Sequence, residues 1–148
     1  MRNPIIVTSW LVWGVLLSMI GVYTAMVTLI LKPQESEGPT AILLTVLYGA
    51  AAADILVGLL IRAFLRRSIR KTNGEKEWGG RYFGMALVIW ALAEAIAVYG
   101  LVAFLIGAPL STYFIFAGLS AVAMLVNMPA LLIPKKADPT VGPLGNVL

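Results

Sequence analysis

Four apolar runs, each long enough to cross a bilayer, constrain this chain more than any other feature. They cover roughly residues 5–31, 41–61, 82–106 and 110–133. A membrane-spanning helix needs about 20 consecutive apolar residues. Of the 148 residues, 60% are hydrophobic and 12% charged. A chain of this length cannot hide so much apolar surface in one aqueous core. The segments between the runs are polar: KPQESEGPT, then RAFLRRSIRKTNGEKEWGGR, then the short GAP, then the tail PKKADPTVGPLGNVL.

The charges set an orientation. If four spans alternate, Arg2, Arg62, Arg66, Arg67, Arg70, Lys71, Lys76, Arg81, Lys135 and Lys136 share one side. Only Lys32 lies opposite, beside Glu35 and Glu37. Lysine and arginine collect on the cytoplasmic side of membrane proteins. The sequence therefore predicts an all-α integral membrane protein of the bacterial inner membrane. Four transmembrane helices form an antiparallel bundle in a single domain, residues 1–134, with both termini cytoplasmic. A basic cytoplasmic loop occupies 62–81, and a flexible tail rich in Pro and Gly follows from 135 to 148. The first run is too long for the apolar part of a secretory signal and lacks a small-residue cleavage site, so an uncleaved helix is expected. Trp10, Trp13, Trp78 and Tyr82 fall near span ends, where aromatic belts form. The net charge of +4 is read as topology plus attraction to anionic headgroups. No aromatic interleaving or nucleic-acid motif accompanies it.

The chain has no cysteine and no histidine. Iron–sulfur clusters and thiolate metal sites are excluded, as are histidine-ligated haem and a Ser-His-Asp triad. An enzyme is not expected, nor any cofactor beyond a bound lipid. Contacts between spans must rely on small residues, because lipid tails are as apolar as leucine. Such residues occur on every run: Gly14, Ser18 and Gly21; Gly49–Ala53 and Gly58; Gly84, Ala91, Ala93, Ala95, Ala97 and Gly100; Ala117, Gly118 and Ala121. Short links favour antiparallel packing of consecutive spans. In VNMPA, Pro129 is expected to kink or end the fourth helix, with Asn127 satisfying a freed backbone group. Tyr23, Thr24 and Thr28 offer hydroxyls on the first run, with no partner specified.

Two carboxylates interrupt the apolar runs: Asp54 in the second and Glu94 near the middle of the third. A charged carboxylate at the bilayer centre costs at least about 2.5 kcal/mol, so such residues are usually functional or paired. At about 1.5 Å per residue, Arg62 lies roughly 12 Å from Asp54 along its helix, and Arg81 roughly 20 Å from Glu94. Neither is a natural partner, so desolvation should hold both carboxyls in the protonated form. A protonated carboxyl can donate a hydrogen bond and exchange its proton. Asp54 is expected roughly 8 Å nearer the cytoplasm than Glu94, a stagger that suits a two-step relay. The plainer alternative is that each carboxyl only locks one helix to another.

The run EAIAVYGLVAFL, beginning at Glu94, resembles the carboxylate-bearing helix of the proteolipid c subunit of rotary ATP synthases. In that family a glutamate is followed by alanine, two variable positions, a β-branched residue and Tyr-Gly-Leu-Val. Those positions are Glu94 to Val102 here, and the likeness covers residues 83–107. The resemblance implies that Glu94 carries the ion and that Tyr99 helps to fix its conformation. Sodium-binding members place a hydroxyl directly after the glutamate; Ala95 stands there, which implies protons. The basic loop is longer than the family's, and two extra spans flank the hairpin. The expected function is an integral membrane subunit of a larger energy-converting complex, with Glu94 and Asp54 carrying protons and Tyr99 in support. A purely structural or assembly subunit and a small transporter are the alternatives. The expected partners are other membrane subunits and the lipid bilayer.

Overall fold

A computed structural model describes residues 4–31, 41–71 and 80–132. Among these residues every regular element is helical. Helix α1 spans Pro4–Ala25 and widens into a π-helical turn over Met26–Ile30. Helix α2 spans Ala41–Lys71, α3 Gly80–Leu105, α4 Leu110–Val126 and the single turn α5 Pro129–Leu132. Three stretches are long and apolar enough to cross a membrane: Pro4–Ile30, Ala41–Arg67 and Tyr82–Leu105. The 17-residue α4 is equally apolar but shorter.

Six serine and threonine hydroxyls on the helices are satisfied within their own helix. Thr8, Ser9, Ser18, Thr24, Thr28 and Thr45 each donate to a carbonyl three or four residues back. This local bonding is what makes such residues tolerable in a medium without water.

Helix α3 is the hub, packing against α1, α2 and α4, while α1 also reaches α4 and α5. Its buried residues Ala86, Ile89, Trp90, Ala93, Ile96 and Ala97 meet Tyr113, Phe116 and Met124 of α4. The α3–α4 turn follows from its sequence. Gly107 has φ 95°, a left-handed conformation that glycine adopts at little cost. Its N–H bonds the Phe104 carbonyl at 3.0 Å, and the Ala108 N–H bonds Ala103 at 2.9 Å. These are the paired bonds of a Schellman helix end. Pro109 then precedes α4 in extended conformation.

Helix α4 breaks at Val126, short of the expected 133, beside the proline expected to kink or end it. Pro129 has no N–H for the Leu125 carbonyl, which accepts instead from Met128 at 3.3 Å. The Met124 carbonyl, left free by that shift, accepts Trp13 Nε1–H at 3.0 Å. Asn127 Nδ2–H donates to the Ala123 carbonyl at 2.8 Å, and Trp90 Nε1–H bonds the Asn127 carbonyl at 2.7 Å. Two tryptophans, from α1 and α3, thus tie down the broken end of α4.

Three expectations need correction. The second run does not end at residue 61: α2 continues ten residues further, to Lys71, so the segment 62–71 of the expected loop is helical. Leu65, fully buried, and Ile61, packed against the core, carry the apolar stripe onward. Arginine also favours helix almost as strongly as alanine. Second, α1 and α2 are not among the closely packed pairs despite their short link, because Trp13 and Tyr23 of α1 engage α4 and α3. Third, most span glycines among the described residues do not mark helix contacts: Gly14, Gly21, Gly49, Gly58, Gly84 and Gly118 face open space, whereas Gly100 sits against a neighbour. Arg2, Lys32, Glu35, Glu37, Lys76, Trp78, Lys135, Lys136 and the expected tail lie outside the described residues.

Candidate functional site: two carboxyl–tyrosine pairs

Each of the two carboxyls is bonded to a tyrosine on a different helix. Tyr23 of α1 donates its hydroxyl to Glu94 Oε1 of α3 at 3.1 Å. Tyr99 of α3 donates to Asp54 Oδ2 of α2 at 2.9 Å. Both carboxyl residues are half-buried. Among the described residues no lysine or arginine pairs with either one.

The surroundings of Glu94 are tightly held. The preceding residue, Ala93, gives its carbonyl to Ser120 Oγ–H of α4 at 2.6 Å, in a fully buried contact. The residue after Tyr23, Thr24, bonds the Tyr113 hydroxyl at 2.9 Å. These bonds join α1 to α3, α3 to α4 and α1 to α4, spread over about two turns of α4 from Tyr113 to Ser120. The phenol of Tyr23 can both donate and accept.

Asp54 occupies a second, separate environment. Tyr99, Leu47 and Ile55 pack against a small buried cluster of Ala51, Ile96 and Phe116. Phe116 in turn stacks on Tyr48 with ring centroids 4.7 Å apart. The resemblance implied that Tyr99 supports Glu94; its hydroxyl is bonded to Asp54 instead, and Tyr23 takes the place beside Glu94. The expected stagger is also reduced. Asp54 lies beside Ala93 and Ile96 of α3, the stretch that contains Glu94. The longer α2 explains this: Asp54 is about 25 Å from the end of α2, and Glu94 about 21 Å from the start of α3. The two carboxyls stand at neighbouring levels, facing different helices, and are not linked by a hydrogen bond.

Tyr23 and Thr24 were recognisable only as hydroxyls of unspecified partner. Tyr113 and Ser120 carry no signal in the sequence, since both sit in an apolar run at positions that could equally face lipid. No family model, no curated protein and no solved structure matches this chain.

The Asp54–Tyr99 bond is a modest contributor to stability. Interhelical hydrogen bonds in membranes average about 0.6 kcal/mol. Tyr99→Phe keeps the packed ring and removes only the hydroxyl. It is expected to lower stability in detergent by roughly that amount, and the further loss from Asp54→Ala should be smaller by about 0.6 kcal/mol in that background than in the unaltered chain. Additive losses in the double-mutant cycle would show that the two groups do not act as a pair.

Proposed function

We propose that this chain is an integral membrane subunit of a larger energy-converting assembly, in which Glu94 takes part in proton transfer. The observation that carries the reading is the environment of Glu94: a mid-span carboxyl whose polar partner is a phenol hydroxyl, with no basic side chain pairing it among the described residues. Such a group can bind and release a proton without breaking an ion pair. Four spans lie antiparallel, with both termini and the basic segment after residue 61 on the cytoplasmic side of a bacterial inner membrane. The positive-inside distribution supports that orientation. Membership of a larger assembly is supported by the surfaces of α1 and α2. Only 11% and 6% of their membrane-spanning windows are buried within the chain, which leaves broad apolar faces for lipid or other subunits.

The competing reading is a purely structural subunit. It is favoured by the placement of each tyrosine partner on another helix, the geometry of a helix lock.

Carbodiimide chemistry tests the proposal, because the reagent adds to a protonated carboxyl. In native membranes Glu94 is expected to be labelled at acidic pH, with labelling falling as the pH rises. Glu94→Gln should remove the labelled peptide. A Glu94 that stays unmodified at acidic pH, in membranes where a control proteolipid carboxyl reacts, would falsify the proposal.

A further inference from the structure

Helices α2, α3 and α4 do not close against one another along their whole length. Near the Tyr48–Phe116 stack α2 touches α4. Beyond it, toward the arginine-bearing end of α2, the two part and leave a cleft of about 280 Å³. Asp54, Gly58 and Leu59 form one wall, Ala93 the floor, and Ala123 and Asn127 the other wall. Apart from Asp54 and Asn127 the lining is aliphatic. An apolar cavity of that kind does not hold water well.

A second concavity, of about 460 Å³, lies directly below on the same side of α2, lined by Leu59, Arg62, Ala63, Arg66 and Arg67. Leu59 lines both. The two form one groove, apolar at the mid-membrane end and cationic at the membrane-surface end. Hydrogen-bonding capacity is unfilled on each part, at Arg62 in the lower lining and Asn127 in the upper. Arg62 Nε and Asn127 Oδ1 are both buried without a partner among the described residues.

We infer that this groove is a binding site for one anionic phospholipid, with an acyl chain in the cleft beneath Asp54 and the phosphate on Arg62 and Arg66. Charge complementarity selects the occupant. Arg62 and Arg66 are four residues apart and share a helix face, and guanidinium groups bind phosphate with fixed fork geometry. A partner helix would need an acidic side chain at the same depth and would bring its own backbone into a cleft only a few side chains wide. A single chain with a phosphate head fits the combination of narrow apolar slot and cationic mouth. The inference requires that the chain spans a bilayer; it does not depend on proton transfer at Glu94.

The test uses the full chain purified in mild detergent and titrated with phosphatidylglycerol, with phosphatidylcholine of the same acyl chains, or with glycerol 3-phosphate. Bound lipid is read by native mass spectrometry. One phosphatidylglycerol is expected to be retained with a preference of roughly 10-fold or more over phosphatidylcholine, as two arginines at a membrane surface contribute. Glycerol 3-phosphate alone should not bind. The double variant Arg62→Ala, Arg66→Ala should reduce phosphatidylglycerol to the phosphatidylcholine level. Leu59→Trp, at an exposed position shared by both halves of the groove, should lower retention of both lipids while leaving the helical content unchanged. Should the arginine variant not fold, the Leu59→Trp result stands alone as the test. The inference is overturned by equal retention of the two lipids on the unaltered chain, by a preference that survives the arginine variant, by retention that Leu59→Trp leaves unchanged, or by binding of glycerol 3-phosphate without a chain.

Discussion

Gly100→Ala is expected to force α3 away from α4 and to cost about 1–3 kcal/mol, the range for overpacking a filled contact. A Cβ built at Gly100 comes within 2.6 Å of Phe116 Cβ and 3.2 Å of the Tyr113 carbonyl oxygen. Neither atom is the end of a flexible side chain, so neither can swing aside, and the helices themselves must separate. The disturbance would spread, because Phe116 is fully buried and its ring stacks on Tyr48 of α2. Close approach of this kind is how helices associate where no hydrophobic effect drives them together. Gly84→Ala and Gly118→Ala are the controls. Each faces open space, and alanine is the better helix former, so both should be neutral or slightly stabilising. Denaturation in detergent followed by helical circular dichroism measures all three. A Gly100→Ala protein as stable as Gly118→Ala would show that the α3–α4 crossing is not this tight.

Much of this architecture is legible in the sequence, and the reasons differ by element. The apolar runs marked the four long helices, three of which are long and apolar enough to cross a membrane. Gly107 and Pro129 marked the ends of α3 and α4, because each acts through its own backbone. The extension of α2 to Lys71 was not legible, since Arg62, Arg66 and Arg67 read equally as topology markers in a loop. Charge density overrode a helical stripe that Ile61 and Leu65 continue. The same ambiguity misplaces Asp54, whose depth read from residue 61 starts ten residues short of the end of α2.

At the site, depth alone singled out Glu94 and Asp54, but not their partners. The resemblance placed Tyr99 in support of Glu94. Helix geometry argues otherwise: five residues at 3.6 per turn put the two about 140° apart around α3. A side chain so placed looks toward a different neighbour, as Tyr99 does in bonding Asp54. That Tyr23 is the residue across from Glu94 depends on how α1 is set against α3, and no periodicity within either helix encodes it. Packing between non-consecutive helices is where reading the sequence stops.

Glu94→Gln separates proton transfer from helix locking. Glutamine has nearly the same volume and keeps an Oε1 that can accept the Tyr23 hydroxyl, now at 3.1 Å. The α1–α3 contact should survive, and stability should change by less than about 1 kcal/mol, the net value of a typical hydrogen bond. The glutamine amide, however, cannot take up and release a proton near neutral pH. If Glu94 carries protons, proton movement in vesicles containing the purified assembly, read with a pH-sensitive dye, should fall to background while every co-purifying chain is retained. Tyr23→Phe is the complementary change: it removes the hydroxyl and leaves the carboxyl. It should keep measurable proton movement and carbodiimide labelling of Glu94, since the titrating group is still present. The structural reading predicts the reverse order of severity. Under it, Glu94→Gln is silent and Tyr23→Phe loosens α1, since only the hydrogen bond matters. Unchanged proton movement in Glu94→Gln would therefore assign the carboxyl to packing.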